Sequence, residues 1–189
     1  MDALILCVII MEEDIIISSQ PIEHELRDDG TFPNNDALPL IYYRGALNLP
    51  KSRAASAIEK IFKKNKWVNS WRNGIYDYHH YHSTAHEVLG IYSGHATVQM
   101  GGPAGIKLNL NKGDVIIIPA GVAHKNLGSS EDFKCVGAYP HNAPDYDMNY
   151  GKPGERPGTI QNIQKVPLPD TDPVYGTAGD LLAAWNKRS

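Results

Sequence analysis

Cysteine is nearly missing from this 189-residue chain: it has two, Cys7 and Cys135, far apart in sequence. That excludes a disulfide scaffold and a cysteine-based zinc ribbon, and two free thiols fit a cytoplasmic setting. Long hydrophobic runs are scarce as well. Ala3 to Met11 is a run of nine apolar residues, against about 20 for a membrane-crossing helix. Asp2 ahead of it and Glu12, Glu13 and Asp14 behind it do not suit a secretory leader. Leu4–Met11 and Ile15–Ile17 read instead as one or two buried or paired strands. There is no excess of basic charge: 18 Lys and Arg stand against 21 Asp and Glu, a net charge of −3. This leaves no basic surface for nucleic acid or an anionic membrane. No Walker pattern, no Gly-x-Gly-x-x-Gly before a helix and no Gly-x-Ser-x-Gly elbow occurs, so nucleotide cradles and serine-hydrolase chemistry are unsupported. What is present is an ordinary globular composition, 42% hydrophobic and 21% charged, and an unusual number of histidines. Of the eight, His79, His80, His82, His86 and His95 fall within one stretch of the chain.

Four regions separate along the chain. Residues 1–50 hold short strands such as Leu40–Tyr43 between turns, and are expected to pack on the main body or on a partner. Residues 51–73 read as a helix and a connection. Ala54, Ala55, Ile58, Ile61 and Phe62 recur at helical spacing over 52–66, with Ser52 as the N-cap. Residues 74–139 read as short strands between glycine turns: Ile75–His82, Glu87–Tyr92, Ala96–Met100, Ile106–Leu110, Val115–Ile118 and Phe133–Tyr139. Such spacing predicts an antiparallel sandwich or barrel. Residues 140–189 form a tail. Seven of the thirteen prolines lie in 140–176, which predicts irregular structure, and Leu181, Leu182 and Trp185 mark a short closing helix over 178–187.

On a strand, His80 and His82 point to one face, with Tyr76 and Tyr78 upstream on the same face. Two imidazoles side by side make half of a metal site. Glu87 begins the next strand ahead of Leu89 and Ile91. Burying its carboxylate unpaired is costly, and a cation would remove the cost. The stretch from Gly113 to His124 is a turn, an apolar strand and a Pro119-Ala120-Gly121 turn that delivers one more histidine. His86 is expected to face outward, supporting a ligand from behind or forming a surface ion pair, with a lesser possibility of replacing a ligand. His79 and His95 read as surface residues, and His141 as one that could rim a cavity or an interface. Tyr76 and Tyr78 are either core or a cavity wall whose hydroxyls position a substrate or donate a proton. Of Lys134 and Cys135, the cysteine is expected inside. Asp145-Tyr146-Asp147 reads as a solvated loop, with a lid over the mouth as the sharper alternative.

Two stretches resemble the paired motifs of the cupin superfamily. Gly74, His80, His82, Glu87 and Gly94 match Gly-x5-His-x-His-x3–4-Glu-x6-Gly. Gly113, Pro119, Gly121 and His124 match Gly-x5-Pro-x-Gly-x2-His-x3-Asn, except that Gly128 stands at the asparagine position and Asn126 lies two residues earlier. The helix before the barrel and the tail around Val166-Pro167-Leu168-Pro169 look like the YjlB-type single-domain cupins. The resemblance implies an all-β fold, a double-stranded β-helix or jelly-roll barrel, with a helix before it and a short C-terminal helix. It implies metal ligands His80, His82, Glu87 and His124, and a divalent ion such as Fe, Mn, Ni, Zn, Co or Cu. It is compatible with a dioxygenase-type or isomerase-type metalloenzyme acting on a small molecule, with a non-catalytic binding module, or with a storage role. A homodimer is expected; nucleic-acid and membrane partners are not.

Overall fold

The structure is a computed structural model and describes residues 15–143 and 145–186. The expected strand Leu4–Met11 lies outside them. In chain order the elements are β1 (Pro21–Leu26), β2 (Asn35–Tyr43), α1 (Ala54–Lys64), β3 (Trp67–Asn73), β4 (Glu87–Ser93), β5 (His95–Met100), β6 (Ile106–Asn111), β7 (Val115–Ile118), β8 (His124–Ser129), β9 (Lys134–Pro140), α2 (Arg156–Ile163) and α3 (Asp180–Asn186). They build two antiparallel sheets. One has six strands in the order β1-β2-β7-β4-β9-β3, the other three in the order β6-β5-β8. This is the expected all-β double-stranded β-helix, with α1 before its central strands and α3 after them. The strand expected over Ile15–Ile17 reduces to a single bridge between Ile16 and Leu47, with Ile15 buried and Ile17 exposed.

The large sheet is buried on both faces, and strand alternation sorts its residues between two cores. Leu40, Tyr42, Leu89, Ile91, Ile116, Ile118 and Cys135 face the small sheet, where Ala96, Val98, Met100, Leu108 and Leu110 meet them. Ile41, Tyr43, Val88, Val115, Ile117, Val136 and Ala138 face the other way, onto Ile58, Ile61 and Phe62 of α1 and Leu181 and Trp185 of α3. Two-sided burial is why Val115–Ile118 is uninterrupted apolar sequence. Each such aliphatic side chain contributes about 1.5–3 kcal/mol on burial. The small sheet has one wet face: Leu108 and Leu110 of β6 point in, while Lys107, Asn109 and Asn111 point out.

Several sequence expectations need correcting. Strands β1 and β2, from the first fifty residues, are members of the large sheet rather than a layer outside it. Residues 67–73, expected as a connection, form the edge strand β3 against β9. Asn69 takes a positive φ of 52°, and the register slips between Val68 and Trp71. That irregularity erases the period-2 signal that would have marked a strand. Helix α1 is not capped by Ser52. Arg53 occupies the N-cap with φ 62° and makes no side-chain cap bond. The proline-rich tail is not wholly irregular either, because α2 lies within it. Pro157 sits in the first turn, where its missing N–H costs nothing.

Candidate metal centre

Three segments carry polar side chains to one end of the space between the sheets. The first joins β3 to β4. It was expected to be a strand over Ile75–His82, but only single bridges form, His80 to His124 and Tyr81 to Asn149. Consecutive residues are pinned to different partners, so neither ladder can extend. The local backbone still alternates. His80 and His82 turn into the cavity. Tyr81 turns away onto Phe32 and Ala123 and donates to Thr159 Oγ1 at 3.2 Å.

The second segment is the start of β4, which places Glu87 above Leu89. The third is the turn Pro119-Ala120-Gly121 that precedes β8. Gly121 has φ 92°, and a Cβ there would lie 2.2 Å from the Asn34 carbonyl oxygen, so a side chain is excluded. Its N–H donates to the His82 carbonyl at 2.7 Å, tying the turn to the first segment. His124 then exchanges backbone hydrogen bonds with His80 at 2.9 and 3.2 Å.

His80, His82, Glu87 and His124 are all buried, and the structure brings them together. The rings of His80 and His124 are 4.1 Å apart between centroids, and that of His82 is 6.0 Å from each. One nitrogen from each ring lies within 4.8 Å of the others. Glu87 Oε2 is 3.4 Å from His124 Nε2 and 3.6 Å from His82 Nε2.

The hydrogen bonds settle which ring nitrogen faces inward as a base. His80 Nδ1 meets the Tyr78 carbonyl at 3.1 Å, His124 Nδ1 meets the Val122 carbonyl at 3.2 Å, and His82 Nδ1 meets the Asp147 carbonyl. A carbonyl only accepts, so each Nδ1 carries the proton and donates. That leaves each Nε2 with a lone pair when the ring is neutral, which is the form a metal ligand needs.

Electrostatics follow from burial and this grouping. Burial pulls His124 down to about 3, with His80 adding to the shift. Burial also lowers His80. Burial lowers His82 too, but the Glu87 carboxylate and the Asp147 carbonyl outweigh it, so the net shift is upward. Burial raises Glu87, and the imidazoles, His82 foremost, reverse this and hold it below the usual carboxylate range. Glu87 therefore stays ionised in the interior. Tyr139 donates to its Oε1 at 3.1 Å, but buried Oε2 has no hydrogen-bond partner. An orphaned carboxylate oxygen beside imidazole nitrogens fits a divalent cation, which would take the place of the proton that His82 and Glu87 otherwise share.

The site opens into a cavity of about 230 Å³, walled by Trp71, Ile75, Tyr76, Leu89, Tyr139, Tyr146 and Met148 among others. Tyr76 belongs to this wall, whereas Tyr78 lies behind it, stacked on Tyr76. His86, expected outside, is buried on the opposite face of the sheet. Its ring packs 4.6 Å from that of Trp185, and its Nδ1 accepts the Ala120 N–H at 3.0 Å. His95 is exposed and His79 half-buried. His141 does not rim the cavity; it pairs with Asp170 at 2.8 Å. Cys135 is inside and Lys134 outside.

Sequence reasoning missed Tyr139 and Trp71, which hold Glu87. Trp71 Nε1 donates to the Tyr139 hydroxyl at 2.9 Å. A Cβ on Gly137 would fall 2.2 Å from the Trp71 indole, so glycine at that position is what lets the ring lie there. The tail segment 145–149 is part of the site as well. Tyr146 lies on Tyr139 and His82, and the Asp147 carboxylate accepts from the Ser83 amide at 2.6 Å. Only the Asp-Tyr-Asp composition hinted at this.

Residues 71–136 match the cupin domain family. The chain is 42% identical over 160 residues to the uncharacterized protein YjlB of Bacillus subtilis (strain 168), covering 85% of this chain and 93% of that protein. Among solved structures it is similar to a protein with a double-stranded beta-helix domain from Klebsiella pneumoniae (16% identity, 80% of this chain, 98% of that one, TM-score 0.34). It is also similar to acireductone dioxygenase from Bacillus anthracis, solved with a cadmium ion in its active center (16% identity, 59% of this chain, 83% of that one, TM-score 0.43).

Proposed function

The chain belongs to the cupin family, and from that premise we propose a metal-dependent protein acting on a small molecule, its divalent ion held by His80, His82, Glu87 and His124. One observation carries the reading: Glu87 Oε2 is buried without a hydrogen bond beside His82 Nε2 and His124 Nε2, in a site where one nitrogen from each of the three histidines lies within 4.8 Å of the others. Three nitrogens and one oxygen suit Fe, Mn, Ni, Zn, Co or Cu. When bound, such an ion supplies Lewis acidity for dioxygenase-type or isomerase-type chemistry.

The chain's own residues orient and protect. The backbone carbonyls of Tyr78, Val122 and Asp147 hold the three imidazoles in the donor tautomer. Tyr139 holds Glu87 through its hydroxyl proton. Leu89 and Ile75 give the cavity wall apolar surface, and the Tyr76 hydroxyl at the wall is the candidate proton donor. The volume falls below the roughly 300 Å³ where drug-sized ligands begin, so the partner is a small molecule. No helix among the described residues is long and apolar enough to cross a membrane. A homodimer in the cytoplasm completes the reading, with exposed Ile17 and Ile22 as its support.

The test is elemental analysis of protein from unsupplemented medium, followed by oxygen uptake with small enolisable and catecholic compounds. The expected result is about one transition-metal ion per chain. Oxygen consumption selects the dioxygenase arm and its absence the isomerase arm. A protein that stays metal-free even after incubation with each of the six ions sinks the reading. Light scattering checks the dimer.

A further inference from the structure

Four of the exposed large hydrophobic residues are tyrosines, Tyr76, Tyr78, Tyr146 and Tyr150, and two of them wall the cavity. Tyr76 is 45% exposed and Tyr146 is 48% exposed. Each touches a different histidine of the cluster, Tyr76 edge-on to His80 at 5.3 Å and Tyr146 edge-on to His82 at 4.8 Å. Each is braced by another tyrosine in a near-parallel stack. Tyr78 lies 4.9 Å from Tyr76 at 15°, and Tyr139 lies 4.5 Å from Tyr146 at 17°. Exposing large rings at a mouth is a cost unless something flat covers them, and bracing fixes their planes in advance.

The charges at the wall add a second restriction. Its basic side chain, Arg72, is spent on α1: Nε and Nη2 each bond the Glu59 carboxylate at 2.7 Å, and Nη2 also bonds Ser56 Oγ at 3.0 Å. A phosphate or second carboxylate on a ligand would find no free Lys or Arg side chain among the described residues of the wall.

The geometry points to Tyr76 and Tyr146 as an aromatic clamp that selects the ligand of this site: a small, planar, conjugated molecule with an oxygen-donor head and at most one negative charge. The inference rests on the metal reading above and deepens it. The hydroxyls are not needed for this role; the ring faces are.

The test compares two monoanionic chelators on the metal-loaded full chain by calorimetry. Acetohydroxamate carries the head alone, and benzohydroxamate carries the head with a ring. Benzohydroxamate should bind about threefold to tenfold tighter, the range of one aromatic contact. Tyr76→Leu and Tyr146→Leu should each bring the ratio of benzohydroxamate to acetohydroxamate affinity most of the way back to one, whatever either substitution does to the affinity for the head alone. Tyr76→Phe and Tyr146→Phe should keep it. Equal affinity of the two probes overturns the clamp, as does a gain that survives both leucine variants or is lost in the phenylalanine ones. A wild-type dimer that the leucine variants break would make these tyrosines a self-association face and overturn it too. Metal content of the same samples separates the two readings. If no ion is retained, the metal reading fails, and the ring gain is then read on the metal-free protein with benzamide against acetamide, where its absence overturns the clamp.

Discussion

His86 and Glu87 are neighbours in sequence, both buried, and lie on opposite faces of the large sheet. On one face Glu87 stands among three imidazoles whose Nδ1 atoms donate to carbonyls. On the other, His86 Nδ1 accepts an N–H from Ala120, so its proton sits on Nε2. The two kinds of buried histidine are thus opposite tautomers. Those of the cavity offer a lone pair where the ion would sit. His86 instead offers its lone pair to the turn that carries His124, and its ring lies under Trp185. Burial lowers His86 to about 3, offset in part by the Pro167 carbonyl, so it stays neutral at ordinary pH. Burial and residue type are shared between the two faces; the hydrogen-bond partner separates a support from a ligand candidate.

Four predictions would break or sharpen this contrast. The largest effect belongs to the His86 face. Trp185→Ala removes a buried indole and should cost about 3–5 kcal/mol in denaturant unfolding, with the metal stoichiometry of the folded protein unchanged. A variant that lost metal in proportion to stability would erase the distinction between the faces. On the other face, His82→Ala should weaken metal retention by more than about 100-fold, beyond the usual effect of losing a residue that merely orients a ligand. Its circular dichroism should remain native, and unchanged metal content after dialysis would disprove the ligand assignment. Tyr139→Phe removes the proton that holds Glu87 Oε1 and should weaken metal affinity about tenfold, read by competition with a chelator.

The effect smallest at neutral pH is a pH slope, which grows only as the solution is acidified. His86 has its pKa depressed in the folded state, so the unfolded chain takes up more protons between about 6.5 and about 3. Stability from this group is present above pH 6.5 and is lost as pH falls through that window. His86→Gln keeps an acceptor for Ala120 and should flatten the acid slope by up to about 1.4 kcal/mol per pH unit. Unfolding midpoints between pH 7 and 4 measure it, and an unchanged slope would show that His86 is not held neutral.

Legibility differed among the elements for physical reasons. Val115–Ile118 and the β6 alternation were readable because burial on two faces or on one leaves a direct imprint on residue type. Strand β3 was not readable, because the positive φ at Asn69 and the register slip break alternation. Helix α2 hid among prolines, since a proline in the first helical turn looks like one in a loop until the chain direction is known. The outward assignment of His86 failed because alternation tells faces apart without saying what covers the second face, and here α3 covers it.

What the amino-acid sequence determined by itself was a two-sheet β architecture and the spacing that separates His80, His82 and Glu87 from the remote His124. These follow from local rules, because side-chain alternation and turn chemistry act over a few residues. What only the tertiary structure decided was the tautomer of each histidine, the bracing of Glu87 by Tyr139 and Trp71, and the arrival of Tyr146 at the cavity from the far end of the chain. Each of these depends on a partner more than fifty residues away in sequence or on a carbonyl presented by an irregular segment. No local pattern encodes such a meeting; packing the tail across the mouth creates it.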